Sequence, residues 1–180
     1  MSESFFVITE LELPGVLFIR PKVQLDNRGF FAETFREEAM AAAGITRPFV
    51  QDNLSFSKKG VLRGLHFQRP PHVQAKLVRC AAGKIFDVVV DFEPESRTFG
   101  KSTSAVLSGK MQCMLYVPGR YAHGFCALSG EALVEYKVDD YYHPESASGV
   151  RYDDPAFDIF WPMPDLILSE QDKNWPLFKK

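Results

Sequence analysis

Two histidines and a lysine stand in strand-like surroundings, where their side chains could move protons. His66 and Lys76 lie in the stretch GVLRGLHFQRPPHVQAKLVRCAAG (residues 60–83), and His123 follows in AHGF (residues 122–125). Imidazole exchanges protons near neutral pH, and an ammonium held in a dry pocket can stabilise an oxyanion. These residue types fit a metal site, a hydrogen-bonded core, or proton transfer next to a carbonyl group.

The spacing resembles the metal-binding motifs of cupins, but the set of ligands is altered. Those motifs contain His-x-His and then a glutamate, with a glycine following after six further residues. Here Gln68 replaces the second histidine and Lys76 replaces the glutamate, while Gly83 stands where the glycine is expected. An ammonium group would repel a divalent cation, so we expect no metal in this pocket. A pocket that holds His66, Lys76 and His123 instead suits enolate chemistry.

Short strands are the elements that must position these groups. We predict a mainly β fold, a cupin-like jelly-roll antiparallel β-barrel with a few short helices, because many short strands occur without alternating helices. Only REEAMAAAG (residues 36–44) has the pattern of a helix, and the segment 143–180 is expected to wrap the barrel as loops and turns. The candidate strands are GVLFIRPKV, GFFAETF, AKLVRC, KIFDVVVDF, KSTSAVLS, QCMLYVP, HGFCAL and ALVEYKVDDYY.

Length and composition limit the partners and the compartment. The 180 residues predict one domain, and the formal net charge of −2 gives no global basic field for nucleic acid. The three cysteines are odd in number and form no CxxC pair, which indicates reduced thiols in a cytoplasmic protein. The sequence shows neither a secretory signal nor an apolar run long enough to span a membrane, so we expect no membrane partner.

An ordered set of motifs resembles the dTDP-4-dehydrorhamnose 3,5-epimerase family of nucleotide-sugar epimerases. One such motif would be weak, but together they follow the order and spacing of the family. They are DNRGFFAETF (26–35), QDNLSFS (51–57), GVLRGLHFQ (60–68), QAKLVRCAAGKIFDVVVD (74–91), AHGF (122–125), YKVDDYYHPE (136–145), GVRYDDP (149–155), WP (161–162) and LSEQD (168–172).

The resemblance implies a cofactor-free epimerase and assigns four catalytic residues. His66 would be the base that removes the proton next to a 4-keto group, and Asp172 would be its carboxylate partner. Tyr136 would return a proton on the opposite face of the sugar, while Lys76 would stabilise the enolate oxygen. The residues alone leave alternatives open: a core histidine for His66, a strand aromatic for Tyr136 and a solvated tail acid for Asp172.

The resemblance also implies a nucleotide site that a second subunit completes. Arg63 would clamp the pyrophosphate, for which a guanidinium fork is well shaped. Arg28 and Glu33 would contact the nucleotide across the interface of a homodimer. The apolar N-terminal arm, at about residues 1–20, is expected to lie in that interface.

Five more residues complete the implied site. Gln51 and Asn53 have amides suited to sugar and phosphate oxygens, with loop capping as the alternative. Tyr142 would stack on the nucleotide base. Asp87 and His123 would hydrogen-bond to each other, and both a structural and a catalytic pair fit.

Some residues depart from the family pattern or take no role. Arg120 adds a cation near His123, and Ala147 and Gln171 stand where substrate contacts are expected. His72 and His143 are interpreted as loop residues without a role in the site.

The function implied by the resemblance is epimerisation of a dTDP-4-keto-6-deoxyhexose. The reaction would convert dTDP-4-dehydro-6-deoxy-D-glucose to dTDP-4-dehydro-L-rhamnose by inverting C3 and C5, as in dTDP-rhamnose and O-antigen biosynthesis. Three alternatives remain: a monoepimerase in another deoxysugar pathway, a non-catalytic nucleotide-sugar binding module, and a metal-dependent cupin such as a dioxygenase.

Overall fold

Two antiparallel sheets face each other in the computed structural model, which describes residues 5–178. The six-stranded sheet has the spatial order β1 (Phe6–Glu10), β2 (Leu17–Pro21), β10 (Met114–Val117), β7 (Lys76–Ala82), β12 (Glu131–Val138) and β5 (Gln51–Lys58). The five-stranded sheet has the order β13 (Ala147–Gly149), β6 (Leu62–Gln68), β11 (Ala122–Ala127), β8 (Lys84–Val90) and β9 (Ser102–Ser108). A separate hairpin joins β3 (Val23–Asp26) to β4 (Gly29–Ala32), and two short helices, α1 (Glu37–Ala42) and α2 (Glu170–Lys173), complete the described elements. The prediction of a mainly β, cupin-like jelly-roll fold is confirmed.

Side chains alternate between the inside of the sandwich and its outer faces, as the pleat of a strand requires. In β8, Ile85 and Val89 join the core between the sheets, while Val88 and Val90 pack in a second cluster on the outer face. All four are fully buried. The continuous apolar run in this strand is therefore explained by burial on both faces.

The segment after β12 covers the outer face of the five-stranded sheet. Phe157 is buried there, and Trp161 and Phe178 pack beside it against the same cluster. Farther along, the backbone N–H of Leu62 donates to the carbonyl of Ile167 at 2.9 Å, which ties the chain to the start of β6. This attachment brings the last helix close to the strand that carries His66.

Several elements differ from the sequence-based predictions for identifiable reasons. The predicted helix is present but shorter. It ends at Ala42, since Gly44, two residues later, adopts φ +88° and stops the helix. The predicted strand over residues 15–23 is divided between β2 and the hairpin. The strands β1, β5 and β6 were absent from the candidate strands: β5 alternates polar residues with exposed apolar ones, and glycine interrupts β6. The tail contains α2 and β13 in addition to loops and turns.

Two further features concern the cysteines and the helices. Cys80, Cys113 and Cys126 are all buried and none forms a disulfide. Among the described residues 5–178, neither helix has the length and apolar content needed to cross a membrane.

Candidate active site

A cavity of about 360 Å³ opens between the two sheets and collects six of the residues predicted for the site. Its volume lies within the usual range for small-molecule sites. The predicted residues that line it are Arg63, His66, Lys76, His123, Tyr136 and Asp172. Ser55, Val78, Phe125, Ser169 and Gln171 complete the lining.

The chemically active side chains reach the cavity from opposite sheets. His66 on β6 and His123 on β11 are direct partners in the register of the five-stranded sheet. Lys76 and Tyr136 belong to β7 and β12, which are neighbours in the six-stranded sheet. The two imidazoles therefore face the ammonium and the phenol across the space between the sheets.

Close backbone contact between β6 and β11 brings the two histidines together. Gly64 has φ +142°, and a Cβ there would lie 2.6 Å from the Cα of Gly124. A side chain at either glycine would push the strands apart, since real Cβ atoms do not approach backbone atoms this closely. The register of the two strands shifts between His123 and Phe125, beside this contact.

His66 is paired with the carboxylate predicted for it. Its Nε2 lies 2.5 Å from Oδ1 of Asp172, although 106 residues separate them in the sequence. The Asp172 side chain is 5% exposed, whereas that of His66 is 42% exposed. With Nε2–H donating to the carboxylate, Nδ1 becomes the basic nitrogen of the imidazole.

Three features hold Asp172 in place. Ser169 caps α2, and its Oγ accepts a hydrogen bond of 3.0 Å from the Asp172 backbone N–H. The indole Nε1 of Trp175 donates to Asp172 Oδ1 at 3.3 Å. Trp175 can lie there because Gly149 has no side chain, since a Cβ at Gly149 would come within 2.5 Å of the indole ring.

The electrostatics keep Asp172 ionised. Burial acts to raise its pKa, but the hydrogen bond and charge of His66 and the contacts with Ser169 and Trp175 outweigh burial and lower the pKa. A carboxylate that stays ionised can hold an imidazole in one tautomer and can stabilise an imidazolium.

A second histidine–carboxylate pair lies deeper in the cavity wall. His123 Nε2 is 2.7 Å from Oδ1 of Asp87, and their side chains are 9% and 0% exposed. Oδ2 of Asp87 is buried without a hydrogen-bond partner among the described residues. This pair joins neighbouring strands, β8 and β11, and is part of the sheet rather than of the tail.

Lys76 contributes a buried positive charge to the cavity. It is 8% exposed, and burial lowers its pKa from 10.5 to about 8, although Asp139 and Asp87 act in the opposite direction. At neutral pH most of the molecules therefore retain an ammonium in surroundings where its field is weakly screened. Such a group can stabilise negative charge that develops on a carbonyl oxygen.

Tyr136 is a neutral donor at physiological pH. Burial raises the pKa of its phenol, with Arg63 opposing the effect. Arg63 itself donates from Nε to Ser57 Oγ and from a terminal nitrogen to the Phe56 carbonyl, both at 3.1 Å. Its guanidinium is thereby fixed at the exposed edge of the cavity, where an anion could reach it.

The pocket does not fit a cupin metal ion. Lys76 places a buried cation in the space that His66 and His123 line, and its charge would repel a divalent ion there. Gln68, in the position of the missing histidine, is absent from the cavity lining. Its buried amide instead donates to the carbonyls of His72 and Tyr141.

The remaining predicted residues lie outside the cavity, in two groups. Gln51 and Asn53 are hydrogen-bonded to each other at 2.9 Å on β5, and Gln51 accepts a bond of 3.3 Å from the backbone of Tyr142. Arg28 lies in the β3–β4 hairpin, paired with Asp26. Glu33 follows the hairpin and is paired with Arg36, a residue outside the prediction.

The departures from the family pattern also separate in space. Gln171 lines the cavity beside Asp172, whereas Ala147 lies on β13 opposite Gln68 and is absent from the lining. Arg120, expected near His123, instead donates to the Pro14 carbonyl and to the Tyr121 hydroxyl, so it adds no charge to the cavity.

Ser55 is a lining residue that sequence reasoning missed. Its Oγ is buried and has no hydrogen-bond partner among the described residues. It lies two residues after Asn53 on the same face of β5, so the period-two pattern of QDNLSFS would have indicated it once β5 was identified as a strand.

Comparisons with known proteins agree on one family. A sequence profile described as dTDP-4-dehydrorhamnose 3,5-epimerase matches residues 10–180. The dTDP-4-dehydrorhamnose 3,5-epimerase of Methanothermobacter thermautotrophicus is 48% identical over 178 residues, covering 97% of this chain and 95% of the relative.

Solved structures of related enzymes superpose over nearly the whole chain. A dTDP-6-deoxy-D-glucose-3,5-epimerase from Legionella pneumophila, in complex with dTDP-4-keto-L-rhamnose, has a TM-score of 0.89 and 44% identity, covering 93% of this chain and 89% of that one. A 3'-monoepimerase from Streptomyces bikiniensis, in complex with dTDP-quinovose, has a TM-score of 0.88 and 32% identity, covering 93% and 86%.

Proposed function

The chain belongs to the dTDP-4-dehydrorhamnose 3,5-epimerase family and is an epimerase, and we propose that it inverts both C3 and C5 of a dTDP-4-keto-6-deoxyhexose. The substrate would be dTDP-4-dehydro-6-deoxy-D-glucose and the product dTDP-4-dehydro-L-rhamnose. The observation that carries the proposal is the placement of His66 and Tyr136 on opposite sheets around one cavity. Inversion at carbon needs a base on one face of the sugar and an acid on the other.

His66 is the base in this proposal. Nδ1 takes the proton from the carbon next to the C4 carbonyl, and the C–H electron pair moves to form the enolate, with its charge on the C4 oxygen. Asp172, 2.5 Å from Nε2, stabilises the imidazolium that results. Because the imidazole is 42% exposed at its side chain, it can release the proton to solvent after each step.

Lys76 and Tyr136 complete the exchange. The Lys76 ammonium stabilises the enolate oxygen, and its burial strengthens that interaction by excluding water. The Tyr136 hydroxyl then delivers a proton to the carbon from the other side, which reverses the configuration. Its raised pKa keeps the phenol protonated until that step. His123, held by Asp87, would contact the substrate beside the enolate oxygen.

The nucleotide is assigned to the exposed side of the cavity. Arg63 supplies the guanidinium for the pyrophosphate, and Gln51, Asn53 and Tyr142 form a connected group nearby on β5 and the segment after β12. Tyr142 is 59% exposed, so its ring is free to stack on a base.

We infer that the enzyme is a homodimer in which Arg28 and Glu33 of one subunit approach the nucleotide of the other. In a single chain, the hairpin exposes Leu25 by 80%, Phe30 by 54% and Phe31 by 67%. An apolar surface of this kind indicates a protein interface. Light scattering should give twice the mass of the chain, and a monomer at micromolar concentration would contradict the dimer.

Deuterium incorporation tests the reaction position by position. In heavy water, the enzyme should introduce deuterium at both C3 and C5 of the dTDP-4-keto-6-deoxyhexose and invert both centres, which NMR resolves. A sample without enzyme measures spontaneous exchange of the ketosugar. Exchange at one carbon would assign the chain to the monoepimerases. If the protein bound dTDP but caused no exchange at either carbon, it would be a non-catalytic binding module and the proposal would be refuted.

A further inference from the structure

Two histidines outside the active site stack on each other beside two carboxylates. The rings of His72 and His143 have centroids 3.5 Å apart and planes inclined by 14°. His72 lies in the connection between β6 and β7, and His143 lies between β12 and β13. His143 Nδ1 is 3.2 Å from Oε1 of Glu145, and His72 Nδ1 is 3.4 Å from Oδ2 of Asp140.

We propose that His72, His143 and Glu145 form a binding site for a divalent transition-metal ion such as Zn²⁺. One ring nitrogen from each histidine and one carboxylate oxygen of Glu145 lie within 4.8 Å of one another. Tetrahedral zinc with bonds of about 2.0–2.1 Å requires its ligands to be about 3.4 Å apart. The separations must shorten by up to about 1.4 Å, and the rings must rotate out of their parallel stack so that a lone pair of each points at the ion.

The chemistry of the ligand set selects the class of metal. Two imidazoles and one carboxylate suit zinc, nickel or copper, whereas calcium and magnesium prefer ligands that are all oxygen. Asp140 is placed to accept a hydrogen bond from His72 and orient its ring.

A buried amide holds the two histidine segments in position before any metal binds. Gln68 is 4% exposed, and its side chain donates to the His72 carbonyl at 2.9 Å. The same side chain accepts a hydrogen bond of 2.7 Å from the backbone N–H of His143. The two backbones are thus tied to one side chain, which reduces the ordering that metal binding requires.

This site is separate from the cavity between the sheets. None of its ligands lines that cavity, and the His72 and His143 side chains are 33% and 29% exposed to solvent. A metal here would clamp two loops together rather than take part in proton transfer.

Isothermal titration of untagged, chelator-treated enzyme with ZnCl₂ tests the proposal. We expect one Zn²⁺ per chain, with affinity at least about 100-fold weaker in His72→Ala and in His143→Ala, because each removes a ligand. Asp140→Asn should weaken binding by about 10-fold, as loss of an orienting partner does. Glu145→Gln is the third ligand variant, and Glu95→Gln, at an exposed acid elsewhere, is its matched control.

Visible absorption of the Co²⁺-loaded enzyme gives a second measurement that does not depend on stability. The bands of imidazole-coordinated Co²⁺ should appear in the wild type and in Glu95→Gln and disappear in both histidine variants. No stoichiometric binding would overturn the proposal. So would binding that survives in His72→Ala and His143→Ala, or binding that is lost only when His66 is replaced.

Discussion

The two histidine–carboxylate pairs of the cavity have the same chemistry but different surroundings. In His66–Asp172 the imidazole is 42% exposed and the carboxylate comes from the tail, on a short capped helix. In His123–Asp87 both side chains are at most 9% exposed and both residues belong to adjacent strands of one sheet. A base that turns over must exchange its proton with solvent, which only the first pair can readily do. The difference supports the proposed roles, in which His66 transfers the proton and His123 positions the substrate.

Replacing the imidazole should separate the two pairs most strongly. His66→Asn removes the base, and we expect kcat to fall by about 10⁴-fold, the upper range for loss of a general base. His123→Asn keeps the base and should lower kcat by no more than about 100-fold. Steady-state kinetics on the dTDP-4-keto-6-deoxyhexose compare the two variants. Equal losses would show that both pairs carry the chemistry.

Replacing Lys76 should lower activity but raise stability. Lys76→Met removes the charge that stabilises the enolate, and kcat should fall by about 10²–10³-fold. The same change removes the cost of burying an ammonium, so the free energy of unfolding at pH 7 should rise by about 1–3 kcal/mol. Urea unfolding measures the second effect, and a destabilised variant would show that the charge is compensated in the fold.

The pH dependence of stability tests the sign of the contribution that Lys76 makes to the free energy of unfolding. Its pKa is lowered to about 8 in the folded protein from 10.5, so the folded state binds fewer protons between these values. Stability should therefore rise with pH from about 8 to about 10.5, and Lys76→Met should lose this increase. Activity should change the other way, falling as the ammonium deprotonates above about pH 8.

Replacing the carboxylates should separate the kcat values of the two pairs less than replacing the histidines does. Asp172→Asn removes the partner that fixes the tautomer of His66, and we expect kcat to fall by about 100-fold, the lower range for an acid–base contribution. It should cost less stability than Asp87→Asn, because the His66 imidazole left without its partner is 42% exposed and can be hydrated. Asp87→Asn alters a fully buried group, and it should cost about 1–3 kcal/mol of unfolding free energy while kcat changes by no more than about 10-fold. Steady-state kinetics and urea unfolding of both variants test this opposite ranking of kcat and stability. If one variant lost more of both, the distinction between the two pairs would be removed.

The sequence predicts the mainly β fold and most of the cavity residues, although it misses several strands, among them β6, which carries His66. His66, Lys76 and His123 lie on strands whose pleat fixes which side chains face inward. Lys76 in place of a metal-binding carboxylate already indicated a metal-free pocket by charge alone. The placement of the described residues supports the predicted set of cavity residues, while the roles assigned to them, a metal-free pocket and a single domain over residues 1–180 stay predictions.

The tail and the loops could not be predicted in the same way. Asp172 reaches His66 across 106 residues only because α2 is attached to β6 and Trp175 packs over Gly149. The Ser169-x-x-Asp172 spacing is a capping pattern and could have indicated the helix. Gln68 was interpreted as a remnant of a metal motif, but its contacts with two distant loops depend on tertiary structure.

The most direct test of a two-sided cavity is to compare exchange and inversion in Tyr136→Phe. This variant keeps the half-exposed base and loses the acid on the opposite sheet. In heavy water, deuterium should still enter the substrate within about 10-fold of the wild-type rate, while inversion falls by about 10²–10³-fold. Inversion at the wild-type rate, or loss of exchange and inversion together, would contradict the assignment of base and acid to opposite faces.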